Sequence, residues 1–479
     1  MAPESLGEPT GMFNFDPNDF EDPFDEGRLN ELVDSYEKGG DGAYFDSDVL
    51  EDISSFYFER GRLEDALGVV DRLIRQQPFS SDPWMRRGII LNHLEQHEDA
   101  LEAYDQALML NPVDTETIIN RGITLDALGR SEEALEVFKK ARDVDPLNDE
   151  VFFNLGVTME RMDRVEDAVQ FFQRCGDINP EHPEVWYELG YCHDRLGNDN
   201  ESLRSYDRHL DIDPYSYDAW YNRGIVLNRM ERFEEAAHSY DMAIAIQDDF
   251  ASAYYNRGNA LANLQRLDEA IENYMQVVRL EGGDAPTFYN VALAYDEKQD
   301  YRAAADYFRR AVDVDEFYAE AWYGLGCALD ALGRYAGAVE CFGRAIALDS
   351  SVPEFWYARA DSLYNAGRVK DSIASYEHVL ELDSTNREAW LDYAETLFED
   401  HRFEEALQAY RSALDLSPEN AGAYFQQAKA LFALGRPEES IRSLKTAFRL
   451  DPDKKTEFAH TYPDLYRDAR IRTILGLDR

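Results

Sequence analysis

One period governs this chain: a 34-residue step aligns it on itself from Ser47 to Lys454 as twelve copies, with no insertion or deletion. A fixed period of that length overrides any estimate of domain number from chain length, because each unit is built to stack on the next. With every copy numbered 1 to 34, column 4 holds Leu50, Trp84, Ile118, Phe152, Trp186, Trp220, Tyr254, Phe288, Trp322, Trp356, Trp390 and Tyr424, and so takes in all six tryptophans. Column 8 is Gly or Ala in eleven copies, the exception being Ser54, and column 20 is always Ala or Ser. Column 24 is aromatic in ten copies, from Tyr104 to Tyr410, and departs only at the ends, with Val70 and Leu444.

At 3.6 residues per turn, columns 4, 8 and 11 share one face of a first helix, and columns 20, 24 and 27 share one face of a second. Gly61, Gly129, Gly197, Gly333, Gly367 and Gly435 recur at column 15. A glycine there supplies the left-handed cap that ends the first helix. Proline at column 32, as in Pro78, Pro112 and Pro418, ends the second. The small residues at columns 8 and 20 predict close approach of two antiparallel helices of about three turns each. Such a pair is too small to bury its own apolar face, so its stability must come from its neighbours.

The set of an aromatic at 4, small residues at 8, 20 and 27, an aromatic at 24 and proline at 32 resembles the tetratricopeptide repeat family. Residues 320–350, EAWYGLGCALDALGRYAGAVECFGRAIALDS, carry nearly all of it. The resemblance implies an all-α fold, a right-handed α-solenoid of antiparallel helix pairs whose first helices line a concave inner wall. It also implies a protein that holds partner proteins or peptides.

Flanking segments complete the expected organisation. Residues 1–25 mix Asp, Glu and Pro with isolated phenylalanines, a composition that builds no core, and are expected to form an acidic disordered tail. Residues 26–46 contain Leu29, Leu32, Val33 and Tyr36 at helical spacing, suited to an N-terminal cap. Residues 47–454 are the repeats, and residues 455–479, with Phe458, Tyr462, Leu465, Ile471 and Leu475, are read as a C-terminal capping helical segment.

Charge narrows the partners. The formal net charge is −48, with nine lysines against thirty-nine arginines, so the chain as a whole repels nucleic acid and anionic membranes. Either adaptation to high salt or selection for cationic partners accounts for this excess. The opening residues have neither a basic start nor an apolar run, and no 18-residue apolar stretch follows, so neither a signal peptide nor membrane insertion is expected, and the expected location is cytoplasmic. Cys175, Cys192, Cys327 and Cys341 stand at no metal-ligand spacing and read as reduced packing residues. His93 and His97 in HLEQH have Leu94 where a zinc protease needs glutamate, and His209 in column 27 reads as a crowded neutral imidazole. No phosphate-binding, dinucleotide or nucleophile motif occurs, so no catalysis, cofactor or metal is expected.

The candidate binding face is the side of the first helices opposite their packing face, columns 2, 6, 9 and 13, flanked by 5 and 12. Column 6 holds Asn120, Asn154, Asn222, Asn256 and Asn290, interrupted by Glu188. A primary amide both donates and accepts, so a row of them suits the backbone of an extended chain whatever its side chains. Members of the family this sequence resembles use similar ladders. Column 12 places Asp126, Glu160, Asp194, Asp296 and Asp330 where an aromatic is usual, giving the wall a negative potential that attracts Lys or Arg of a bound segment. Column 2 is acidic in nine copies, Asp82 and Glu116 among them, a placement that favours the helix N-terminus. Tyr187, Tyr221, Tyr255, Tyr289, Tyr323 and Tyr357 fill column 5 in copies five to ten, read chiefly as packing residues with hydroxyls at the rim. Columns 2 and 5 hold no lysine, unlike the subfamily that clamps the acidic tails of chaperones.

The sequence therefore predicts a non-enzymatic scaffold that binds extended or helical segments of basic or neutral partner proteins. Self-association through the repeat ends or the groove is the alternative.

Overall fold

The computed structural model of the chain describes residues 23–39 and 44–477. The tail expected over residues 1–25 lies outside the described residues except for its last three, at which a first helix, Pro23–Gly39, begins. Every regular element among the described residues is helical. From Ser47–Glu59 with Leu63–Gln76 to Ala421–Ala433 with Pro437–Leu450, the helices fall into one pair per copy.

Contacts divide the chain into two compact units, residues 1–226 and 227–479, with the division inside the helix Tyr217–Arg229. Within each unit a helix packs on its neighbours in sequence, and first helices of successive copies also touch. That is an all-α solenoid of helix pairs. In the first unit a continuous core runs from Leu101 to Cys192 through Phe138, Phe152, Leu155 and Phe172. In the second, one core links Phe288, Phe308, Leu325 and Phe342.

The approach within each pair depends on columns 8, 20 and 24. A methyl added at Gly156 would lie 2.5 Å from Phe172 Cε1, and one at Gly122 would lie 2.5 Å from Phe138 Cε1. The column 24 ring therefore rests directly on the backbone of the first helix. Where column 20 is serine the helices are also bonded: Ser202, Ser372 and Ser440 each donate at 2.8 Å to the carbonyl at column 8 of their own copy, Gly190, Ala360 and Ala428.

Column 4 tryptophans serve the turn between copies. The indole N–H of Trp186, Trp220, Trp322, Trp356 and Trp390 donates to the carbonyl six residues earlier, at 2.9–3.1 Å. Each such bond fixes the entry of a first helix against the end of the preceding second helix.

The turn inside each pair is more uniform than the glycines indicate. Column 15 has positive φ in every copy: 69–74° at the six glycines, and 58–61° at Glu95, Asp163, Glu231, Gln265, Gln299 and His401. The following N–H bonds the carbonyl five residues back, as in Arg62 to Tyr57 at 2.8 Å and Arg232 to Leu227 at 2.9 Å, the hydrogen bond of a Schellman cap. The cap geometry overrides residue preference in six copies.

The ends are covered by helical segments. Val33 of Pro23–Gly39 is buried in one core with Leu50, Ile53 and Tyr57, and the Tyr57 hydroxyl donates to Glu37 at 3.0 Å. At the other end Phe458 and Leu475, from Lys454–Thr461 and Ala469–Leu475, are buried with Phe425, Leu444 and Phe448.

Two substitutions test these constraints. Gly156→Ala gains about 1 kcal/mol of helix propensity but overpacks the Phe172 ring at a cost of about 1–3 kcal/mol, so denaturant unfolding is expected to show a net loss. Glu231→Gly relieves a left-handed residue that costs about 1–2 kcal/mol, against about 0.4–1 kcal/mol of added unfolded-state freedom, so a small gain in stability is expected by the same measurement.

Candidate functional site

Column 5 tyrosines set the geometry of the first-helix face. Tyr187, Tyr255, Tyr289, Tyr323 and Tyr357 each pack on the column 24 ring of their own copy, with centroids 5.6–5.9 Å apart. The rings thus belong to the core, and their hydroxyls emerge at its edge. There the Tyr187 oxygen accepts from Nδ2 of Asn222 at 3.0 Å, and the Tyr255 oxygen accepts from Nδ2 of Asn290 at 2.8 Å. Tyr357 instead donates to Asp392, the column 6 residue of the next copy. Column 5 of one copy is in this way tied to column 6 of the next. Burial pushes the hydroxyls of Tyr187 and Tyr255 above their ordinary range, so both stay protonated.

The five asparagines are not equivalent. In the first unit, Asn222 is held by Tyr187, Asn154 turns back to donate to the Glu150 carbonyl of its own helix at 2.8 Å, and Asn120 is 9% exposed. In the second unit, Asn290 donates to both Tyr255 and Asn259 Oδ1, the latter at 3.3 Å, and Asn256 stands half-buried one copy earlier. Each amide held by a tyrosine retains acceptor capacity at Oδ1.

Column 12 carboxylates are more internal than their column suggests. Asp126 is 6% exposed; its oxygens accept from Ser131 at 2.6 Å and Thr158 at 3.4 Å and pair with Arg161 at 3.0 Å. Asp330 accepts from Ser362, at column 10 of the next copy. In both cases a carboxylate is tied to the following copy, a role that sequence reading missed. Its signal was the hydroxyl at column 10, present in Thr158 and Ser362. Asp194 and Asp296 are half-buried on the same face, and burial raises the Asp296 carboxyl. In the second unit Asp361 accepts from Tyr376, and burial pushes its carboxyl up to about 6.

Glu160 and Glu188 form a pair. Burial is the main cause that raises both carboxyls, and the charge of Glu160 adds to it at Glu188, which is pushed up to about 8. Arg195 stands 3.8 Å from Glu160 and is itself bonded to Asp163 at 2.5 Å. Glu188 thus replaces the ladder amide with a carboxyl whose ionisation is opposed by burial and by the neighbouring Glu160. His209, beneath Tyr187 at a ring separation of 5.5 Å, is held below its ordinary value by burial and is neutral. Among the described residues no group of three or more His, Cys, Asp or Glu is placed to hold a metal ion. No helix among them is long and apolar enough to cross a membrane.

A cavity of about 260 Å³ opens on the same face in copies one to three. Phe58, Met85, Ile89 and Ile90 form its apolar wall, and Glu59, Asp82 and Glu116 its acidic rim. Arg86, the column 6 residue here, donates to Asp82 Oδ2 at 2.8 Å. Sequence reading assigned Asp82 and Glu116 to helix N-termini; the arginine standing in an asparagine column was the available signal that this end differs.

The Glu188 acid makes stability depend on pH with a definite sign. Its folded value lies above the ordinary 4.5, so the contribution of the neutral form is complete below about 4.5 and is lost as pH rises through about 8. Glu188→Gln is close in shape but cannot ionise. Thermal unfolding is expected to give similar midpoints for the two proteins near pH 5 and a higher midpoint for the variant near pH 9. An unchanged difference between the two conditions would refute the assignment.

Models of the tetratricopeptide repeat match residues 81–113, 119–175, 177–217, 217–250, 249–316, 289–353, 325–387, 357–421 and 397–460. No curated protein matches the chain. Among solved structures, YrrB, described as a TPR protein with an unusual peptide-binding site, is 26% identical over 38% of this chain and 95% of its own, with a TM-score of 0.33. MamA from Desulfovibrio magneticus RS-1 is 21% identical over 35% of this chain and 95% of its own, with a TM-score of 0.34. The C-terminal part of a TPR repeat-containing protein from Cytophaga hutchinsonii is 14% identical over 53% and 99%, with a TM-score of 0.45. The repeat models together cover most of the sequence, and this chain belongs to the tetratricopeptide repeat family of protein-interaction scaffolds.

Proposed function

We propose that the chain is a non-enzymatic cytoplasmic scaffold whose first-helix face holds extended or helical segments of basic or neutral partner proteins. The contacts are Asn120, Asn154 and Asn222 in the first unit and Asn256 and Asn290 in the second, with Glu160, Asp194 and Asp296 supplying negative potential. Asp126 and Asp330 contribute charge from within the interface between copies.

The observation that carries this reading is the tyrosine-to-asparagine bond. Tyr187 and Tyr255 each fix the amide of the next copy through one N–H, leaving its Oδ1 directed by a group that is itself locked in the core. An amide already held needs less ordering when a backbone N–H arrives, so more of the bond appears as affinity. Backbone recognition of this kind is tolerant of sequence, while the carboxylates bias the choice toward cationic segments.

Replacing both Asn222 and Asn290 by alanine is expected to weaken capture of partner proteins from an extract of the native cell at least about tenfold, the loss of one or two hydrogen bonds. Peptide mapping identifies the captured segments, and circular dichroism is expected to be unchanged. Capture at full strength by the double variant would refute the role of the amides.

A further inference from the structure

We propose that the cavity in copies one to three is a receptor for a single basic side chain, lysine or arginine, of a bound segment. The inference rests on the scaffold reading and adds to it the point at which a partner is held in register.

Size is the first argument. At about 260 Å³ the cavity falls below the range of roughly 300–1,000 Å³ typical of small-molecule and cofactor sites, and suits one long side chain. Its lining is the second. Phe58, Met85, Ile89 and Ile90 offer an apolar wall for an aliphatic stem, while Glu59, Asp82 and Glu116 offer acceptors for a cationic head. Lysine and arginine have that division of character, and they bury the stem while keeping the head among polar groups.

Charge complementarity decides the sign of the occupant. Three carboxylates face one guanidinium, and that guanidinium is already engaged by Asp82 at 2.8 Å and by Ser55 Oγ at 3.5 Å. An incoming anion would be repelled by these carboxylates around Arg86. Partial burial raises the carboxyl of Glu116, with the charges of Asp114 and Asp82 adding to it, and burial likewise raises Glu51 beside Arg86. Loss of water disfavours the charged form of these carboxyls, and a cation seated among them offsets that cost.

The test uses the full chain with carbon-13 labelled isoleucine methyls and three acetylated, amidated hexapeptides that differ only at one central residue: arginine, norleucine or glutamate. With peptide up to about 1 mM, the arginine peptide is expected to shift the methyls of Ile89 and Ile90 saturably, the norleucine peptide to bind there at least about tenfold more weakly, and the glutamate peptide to leave them unmoved. The Asp82→Asn, Glu116→Gln double variant is expected to abolish the preference for arginine over norleucine. Should that variant misfold, the three peptides on the unmodified chain still decide. Equal binding of arginine and norleucine peptides at these methyls would overturn the proposal. So would methyl shifts that follow the protein's own concentration without peptide, which would seat a second copy of the chain in the cavity. Saturable arginine-peptide binding that perturbs the Asn222 side-chain amide and leaves Ile89 and Ile90 silent would overturn the cavity assignment while leaving the scaffold reading intact. Failure of the scaffold reading is seen separately, as undiminished capture by the asparagine double variant.

Discussion

The structure depends on how closely two short helices can approach. With no Cβ at column 8, the rings of Phe138 and Phe172 lie on the opposing backbone, and serines at column 20 bond directly to column 8 carbonyls. Every other regularity is a consequence. A pair held at that distance presents its remaining apolar surface along its flanks, where only another pair can cover it, so stability accrues by stacking and not by enclosure.

Polar groups then fasten one copy to the next. Tyr187 meets Asn222, Tyr255 meets Asn290, Asp126 meets Thr158, and Asp330 meets Ser362. A second series is ionic: Arg87 with Asp71, Arg121 with Asp105 and Arg223 with Asp207 in the first unit, and Arg257 with Asp241 in the second. Exposed pairs of this kind contribute little individually. They engage four of the thirty-nine arginines with carboxylates of the preceding copy. Through its tyrosine–asparagine bonds the first-helix face serves both cohesion between copies and the proposed capture of partners, and a substitution there must be judged on both.

Much of this was legible in the sequence because repetition turns weak residue preferences into columns. The helix pairs, the glycine turn, the all-α fold and the core role of the column 5 rings could each be read from residues such as Gly156, Gly333 and Tyr187. What could not be read required distance across copies. Nothing in one copy announces that Asp126 is enclosed by the next, that Asn154 folds back on its own helix, or that the charge of Glu160 helps raise the Glu188 carboxyl. The left-handed residues at Glu95, Gln265 and His401 escaped for a different reason: side-chain preference argued against a conformation that the turn enforces. The cavity beside Arg86 escaped because three helices build it together.

The indole bonds of column 4 have an optical consequence. Five of the six tryptophans, Trp186, Trp220, Trp322, Trp356 and Trp390, sit at the junctions between copies, each with its N–H on a backbone carbonyl. Indole emission from this molecule is therefore dominated by its seams, and a loosening seam would redden it while the far-ultraviolet signal still read as fully coiled.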